Sequence, residues 1–471
     1  MMQGSRKFDA ASRIVAELHA AGYEAYLAGG CVRDLLLGCE PSDYDVATSA
    51  TPNVVLEMFP RTFAVGAHFG VVLVATGGEE EASENIQSEK VKGEKPTEVA
   101  TFRSDGAYSD GRHPDAVRYT TSAEEDVKRR DFTINGLLLD VEKLRAAGGL
   151  ERTTLRAAVL DYVGGLADLD AGVIRAIGRA EERFEEDRLR MLRAVRFAAR
   201  FGFELEAGTK TAIQKLAGRI AAVSRERVRD ELTKMLTEGK ARRAFELMDE
   251  TRLLAEVLPE VARMKGVEQP PQFHPEGDVW VHTLGLLGQL EEGCPATLAW
   301  GALLHDVGKP PTFRRGPDRI RFDGHVDVGV AMGAEICRRF RFSNEETRQI
   351  LALIENHMRF ADAPKMKAST LKRFFRLEGF EEHLALHKMD CLAGPGNLDH
   401  WNFVRERWET MPEETVRPRP LITGRELIAA GYMPGARFKE MLRAVEDAQL
   451  EGAIATEEDA MRMVRERFPV A

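Results

Sequence analysis

Gly29-Gly30-Cys31-Val32-Arg33-Asp34, followed by Asp43-Tyr44-Asp45, is the stretch on which the reading of the fold turns. Ala25 to Ala28 just before it reads as a short strand, and Cys31 to Leu37 just after as a helix opened by the glycine pair. A glycine pair lets backbone approach a phosphate closely, and a helix start adds N–H groups and a positive dipole end. The stretch is neither a P-loop, since no GK[ST] follows, nor GxGxxG. In a strand the side chains alternate, so Asp43 and Asp45 project from one face. Two close carboxylates repel unless a cation lies between them. Mg²⁺ takes such hard oxygen ligands, and two ions about 4 Å apart can clamp the attacking and leaving oxygens of a phosphoryl transfer.

Outward from that core, Phe8 to Ala21 reads as an amphipathic helix. Tyr44 to Ala47, Val71 to Ala75, Val99 to Phe102 and Leu137 to Val141 read as strands. The acidic stretch Gly77 to Pro96 reads as an exposed hairpin loop. A third carboxylate commonly completes a two-aspartate site, and two residues qualify. Glu98 lies on a neighbouring strand, and Asp131 stands in Arg129-Arg130-Asp131-Phe132-Thr133-Ile134-Asn135. The pattern leaves both open.

The chain has 471 residues, 44% hydrophobic and 30% charged, which is globular composition sufficient for about three domains. No apolar run approaches the ~20 residues of a membrane span, and Met1 to Ala10 lacks a signal-peptide core. The expected location is therefore cytoplasmic, with no membrane partner. Five scattered cysteines without a CxxC pair argue against a disulfide framework or a thiolate zinc site. The net charge of −10 is not that of a nucleic-acid binder taken whole, yet Ile174 to Arg243 holds 18 basic and 11 acidic residues. Local clustering of this kind is the signature of a phosphate-binding surface. From about Glu181 the helical period dominates, broken at Pro270-Pro271 and at Arg417 to Pro420. The expected division is 1–150, 151–268, 269–414 and 415–471.

Four motifs now stand in order: Gly29 to Asp34 with Asp43 and Asp45; Thr101-Phe102-Arg103 with the stretch to His113-Pro114; Arg130-Asp131 with Asn135; and Glu186-Asp187 with Arg190, Arg193 and Arg196. Together they resemble the class II tRNA nucleotidyltransferase and bacterial poly(A) polymerase family over about the first 240 residues. The resemblance implies that Asp43 and Asp45 hold catalytic Mg²⁺, with Asp131 or Glu98 as the further catalytic carboxylate. It implies that Gly29, Gly30 and Arg33 meet a triphosphate, and that Arg130, Asp131 and Asn135 hold the ribose. It further implies that Asp187 and Arg190 pair with the edge of the incoming base. Arg193 and Arg196, at three-residue steps on the same helix, suit a line of contacts to phosphate and base. No separate general base is needed, because a metal can lower the pKa of the attacking hydroxyl.

Eight of the 11 histidines fall between His274 and His400. Trp300 to Leu304 runs apolar into His305-Asp306-Val307-Gly308-Lys309. With His282 before it and His325, His357 and Asp390 after it, the order resembles the HD phosphohydrolase superfamily over about 275 to 395. Imidazole and carboxylate suit Mn, Ni, Co, Fe or Zn, and a divalent ion there can activate water against a phosphoester. Asp362 and Asp399 are alternatives to Asp390. His274, His383, His387 and His400 read as core or surface histidines. The remaining tail from Leu421 reads as two or three helices, packed on the HD region or gripping RNA.

The expected fold is α+β: a small mixed-sheet nucleotidyltransferase head, an all-α neck and body, an all-α HD domain and a helical tail. The resemblance implies addition of C and A from CTP and ATP to the tRNA 3′ end, with an HD phosphatase or phosphodiesterase activity. A poly(A) polymerase and a CC-only or A-only enzyme are the alternatives within the family. Asp161 to Gly165 and Met191 to Arg200 suit poly(A) polymerases as well, but an HD domain is not typical of those. From another class, the chain would be an HD nucleotide phosphohydrolase with a binding-only RNA head. The intact Asp43/Asp45 pair argues against that. The oligomeric state is open.

Overall fold

The computed structural model describes residues 6–63, 70–75, 96–105, 117–272, 274–317 and 319–469. Most of the acidic stretch Gly77 to Pro96, and the stretch from 106 to His113-Pro114, lie outside the described residues. The chain divides into two compact units, Met1–Leu232 with Glu246–Val257, and Thr233–Phe245 with Leu258–Ala471.

The first unit is built on a mixed sheet. Its strands among the described residues are β1 (Ala25–Ala28), β2 (Asp45–Thr48), β3 (Thr62–Phe63), β4 (Val71–Val74) and β5 (Thr97–Thr101). A separate two-stranded ribbon, β6 (Arg103–Asp105) with β7 (Val117–Tyr119), follows, and then β8 (Leu137–Leu139) and β9 (Val159–Asp161). The main sheet runs β3-β4-β5-β2-β1-β8-β9. The β2–β5 pair is parallel and the other pairs are antiparallel. β9 still belongs to this sheet, so the head extends past the boundary expected at residue 150. On one face Ala28, Ala47, Phe102, Val127 and Leu138 form a buried cluster, with Tyr26 stacked on Phe102. On the other, helix Arg6–Ala20 buries Ile14, Val15 and Leu18. The alternation of apolar residues along these strands is what places the two faces.

Two elements differ from the sequence pattern at their ends. β2 begins at Asp45, so Asp43 lies in the approach to the strand, although Tyr44 between the two aspartates is buried against Phe8 and the alternation holds. The run Leu137 to Val141 is split: Asp140 caps a new helix, accepting from Lys143 N at 3.0 Å. A capping aspartate ends a strand because its side chain offers the next turn's free N–H a partner.

The second unit is helical. Helices Val279–Leu287 and Ala296–Leu304 are apolar on nearly every face, as central helices must be. Trp300 is fully buried against the rings of Phe340 and Phe342, and its indole N–H donates to Thr233 at 2.9 Å. The break at Arg417 to Pro420 does not release the tail as a separate unit. Helix Ala436–Leu450 lies against Ala368–Phe375, where Glu446 accepts from Arg373 and Arg376, and Lys372 donates to the Leu450 carbonyl. Among the described residues, no helix is long and apolar enough to cross a membrane.

Candidate functional site

Chemistry in the first unit gathers at the end of β2. A cavity of about 240 Å³ is lined by Asp43, Asp45 and Glu98 together with Gly30, Ser42 and Lys7. The register explains the meeting. Val46 pairs with Val99 in the parallel β2–β5 ladder, so Asp45 and Glu98, one residue earlier on each strand, sit side by side. Parallel neighbours in register point to the same face. Lys7 donates to the Ser42 carbonyl at 2.7 Å, pinning the residue before Asp43. Gly29 turns the chain out of β1 with φ +74°, and a Cβ there would lie 3.0 Å from the Arg130 guanidinium. A side chain at this position would meet both the strain of positive φ and that contact.

Asp131 is placed differently. Its Oδ1 accepts from Phe132 N at 2.8 Å and Asn135 Nδ2 at 3.0 Å. Its Oδ2 accepts from Arg193 Nε at 2.9 Å and Nη2 at 2.7 Å. Burial would raise its pKa, but Arg193 and Asn135 outweigh that and hold it at about 2. A carboxylate whose lone pairs are already taken positions its neighbours. Of the two further carboxylates, Glu98 is the one beside Asp45.

Arg33 is also inward. It is buried, bound to Asp34 and, at 2.5 Å, to Asn135 Oδ1, and stacked over Phe201. Arg130 and Arg129 share the buried carboxylate of Asp126, a residue the motif reading passed over because a single aspartate in a helix carries no spacing signal. Burial would raise Asp126, yet the two arginines hold it below the ordinary range.

The arginines after Asp187 are not one exposed line. Arg190 donates to Glu186 at 2.8 Å and to the Arg129 carbonyl, and Arg193 reaches Asp131. Arg196 is buried and donates to the equally buried Glu231 at 2.7 Å. The expected line of contacts is corrected here, because Arg196 faces the protein interior, where an ion pair is needed to keep a guanidinium. Asp187 accepts from Arg227 at 2.7 Å and from Leu189 N at 3.1 Å. Arg227, 40 residues away, was not singled out by the sequence.

A second constellation lies in the other unit. His282 Nε2 is 2.9 Å from Asp390 Oδ1. His305 Nε2 is 3.1 Å from Asp306 Oδ2, and His357 and His325 present Nε2 at 3.7 and 3.9 Å from Asp306 Oδ1. His305, His325 and His357 share a device. Each Nδ1 meets the carbonyl three residues earlier, Ala302 at 2.9 Å, Phe322 at 2.9 Å and Ile354 at 2.7 Å. Helices Ala296–Leu304 and Asn344–Asn356 end at His305 and His357, where carbonyls lack helical partners. That bond puts the proton on Nδ1 and leaves each Nε2 as a lone-pair donor. None of the three buried Nε2 atoms, nor Asp306 Oδ1, has a hydrogen-bond partner. Asp306, His325 and His357 offer ligand atoms within 4.8 Å of one another, as do His282, His305 and Asp390, and orphaned buried atoms in such sets fit one or two divalent ions. Burial holds His357 at about 4 and so neutral, the ligating form. Lys309 donates to Asp306 Oδ2 at 2.7 Å and to Gln269 at 2.6 Å. The pattern also missed His274 and Glu276, which stand beside His282.

Gly308 brings this cluster together. A Cβ there would lie 2.1 Å from the His325 carbonyl and 2.6 Å from Gly329 N. We expect Gly308→Ala to push helix His325–Arg339 away, costing about 1–3 kcal/mol as overpacking does. Thermal melting reads the loss, and metal titration reads the displacement of His325. An unchanged melting temperature and metal affinity would show that the approach is not tight.

Three family models match: the poly A polymerase head domain over residues 25–175, a probable RNA and SrmB-binding site of polymerase A over 202–265, and the HD domain over 279–389. The chain is 40% identical over 459 residues to a CCA-adding enzyme of Geobacillus kaustophilus, covering 96% of this chain and 95% of that one. It is 31% identical over 454 residues to the CCA-adding enzyme of Geobacillus stearothermophilus, covering 96% and 95%. The fold is similar to a crystal structure of the Bacillus stearothermophilus CCA-adding enzyme in complex with CTP. The TM-score is 0.70 and the identity 28%, over 98% of this chain and 99% of that one.

Proposed function

The chain belongs to the CCA-adding enzymes, nucleotidyltransferases with an RNA-binding region and an HD domain, and from that premise we propose that it completes tRNA 3′ ends with C and A drawn from CTP and ATP. The observation that carries the reading is the meeting of Asp43, Asp45 and Glu98 in one cavity beside the Gly29-Gly30 turn. Mg²⁺ held there would activate the tRNA 3′-hydroxyl and neutralise charge on the triphosphate. Asp43 and Asp45 are its ligands in this reading, with Glu98 the neighbouring carboxylate.

The other residues position. Asp131 and Asn135, locked by Arg193 and Arg33, form a rigid polar floor suited to a ribose. Gly30 backbone and Arg130 border the place of the triphosphate. Asp187 and Arg190 carry an acceptor and a donor that match the base edges of C and A. Their partners Arg227 and Glu186 fix each in place. The helices after Ile174 supply the basic surface for tRNA, recognised by shape and phosphate. The HD cluster of His282, His305, Asp306, His325, His357 and Asp390 would hold one or two divalent ions and hydrolyse a phosphoester, a second activity of the same chain.

The test offers the purified protein, with Mg²⁺, three tRNAs that end before CCA, after C, and after CC. Each receives CTP, ATP or both, and the product ends are sequenced. We expect one completed CCA on all three and then a stop. Addition of CC alone, of one A alone, or of A without limit on any RNA would replace the proposal with the corresponding specialist or a poly(A) polymerase. No extension at all would overturn it and move the function to the HD domain.

A further inference from the structure

Four imidazoles surround the HD centre, and one of them is held differently. His305, His325 and His357 each rest Nδ1 on a backbone carbonyl three residues earlier. His282 cannot. It lies within helix Val279–Leu287, where the nearby carbonyls serve the helix; Val279 O, three residues before it, also accepts from Thr283 Oγ1 at 2.8 Å. Its Nδ1 meets Glu276 Oε1 at 2.6 Å, and that same oxygen meets His274 Nδ1 at 2.9 Å. The His274 ring packs edge-on to His282, with centroids 4.8 Å apart and planes at 82°.

We propose that Glu276 is the positioning carboxylate of the HD metal site, fixing His282 as an Nε2 ligand, and that His274 in turn holds Glu276. The inference rests on the reading of His282, His305, Asp306 and Asp390 as metal ligands.

Two features of the chain support it. The turn carrying Glu276 is fastened at both ends: the His274 carbonyl accepts from Gly277 N at 3.2 Å, and the Gly277 carbonyl accepts from Gln269 N at 3.2 Å. Asp278 then caps the helix, accepting from Val281 N at 2.7 Å. The spacing from Glu276 to His282 is thus set by a built turn and a capped helix start. The second feature is charge. Lys309 lies on Asp306 and offsets part of the negative charge that a divalent ion needs. A carboxylate on the far nitrogen of His282 restores it, because an imidazole whose N–H is given to a carboxylate is the stronger metal ligand. A neutral carbonyl, the partner of the other three histidines, does so less.

The experiment titrates full-length protein with Co²⁺ and follows both affinity and the visible absorption of the bound ion. Glu276→Gln keeps the shape and loses the charge. We expect its apparent affinity to fall about 10–100-fold at unchanged stoichiometry, with a shifted Co²⁺ spectrum. His274→Ala should move both in the same direction by less, and His282→Ala should lose an ion outright. Circular dichroism melting verifies that each variant is folded. An unchanged affinity and spectrum in Glu276→Gln, with binding lost in His282→Ala, overturns the proposal. So does the loss of a whole equivalent of Co²⁺ in Glu276→Gln, which would make Glu276 a ligand in a His274–Glu276–His282 site of its own. Retention of all Co²⁺ in a His305→Ala, Asp306→Ala variant would instead refute the underlying metal-site reading, whatever Glu276 does.

Discussion

Asp45→Ala is expected to abolish CCA addition, lowering kcat by about three orders of magnitude or more while leaving tRNA affinity nearly unchanged. Metal stabilisation of a phosphoryl-transfer transition state is worth several kcal/mol, and each 1.36 kcal/mol is about tenfold in rate. Asp45 opens β2 and lines the same cavity as Asp43 and Glu98. Its loss leaves the remaining carboxylates unable to enclose an ion, but it removes no buried packing, since Tyr44 and Val46 carry that. Single-turnover extension of a tRNA ending in CC, with binding measured separately, distinguishes the two quantities. A variant that still extends tRNA at a comparable rate would refute the assignment of this cavity. A Glu98→Gln variant falling nearly as far, and an Asp131→Asn variant losing substrate affinity more than rate, would assign the two further carboxylates to the roles their neighbours suggest.

The second large effect is expected in the His305→Ala, Asp306→Ala double variant. It should lose divalent-metal binding in the second unit and any hydrolysis of p-nitrophenyl phosphate or a 2′,3′-cyclic nucleotide, and still add CCA. Asp306 is fully buried and faces Nε2 of His305, His325 and His357, so removing it takes away the carboxylate those three share. In the wild type the buried polar atoms without partners, His305, His325 and His357 Nε2 among them, are what a bound ion would satisfy. Inductively coupled plasma analysis of the dialysed proteins, beside the hydrolysis assay, reads the outcome. Metal content equal to the wild type would count against the site. Equal metal loss without any hydrolysis to lose would make the ion structural.

The pairing of Asp43 and Asp45 was legible because local rules reach it. A period of two puts Asp43 and Asp45 on one side whether or not both belong to the strand, and Tyr44 between them is apolar and buried. The histidine cluster was legible for a similar reason: His305-Asp306 ends an apolar helix, where an imidazole can reach a free carbonyl. Glu276 was missed although it lies only six residues before His282, since a carboxylate in a turn follows no period. His274, which by its sequence surroundings reads as a core or surface histidine, shares with His282 the same Glu276 oxygen.

By itself, then, the sequence determined the α+β head, the helical remainder and the residues of the two candidate sites, because strand alternation, helix ends and motif spacing are short-range properties of the chain. Only the tertiary structure decided which charges meet. Arg193 reaches back 62 residues to lock Asp131, Arg227 reaches 40 to hold Asp187, and Arg196 turns inward to Glu231. The parallel register of β2 with β5 chose Glu98 as the neighbour of Asp45. A guanidinium looks the same in the sequence whether it faces solvent or a buried carboxylate. Its role follows from the cost of burying charge unpaired, and that cost exists only once the chain has folded around it.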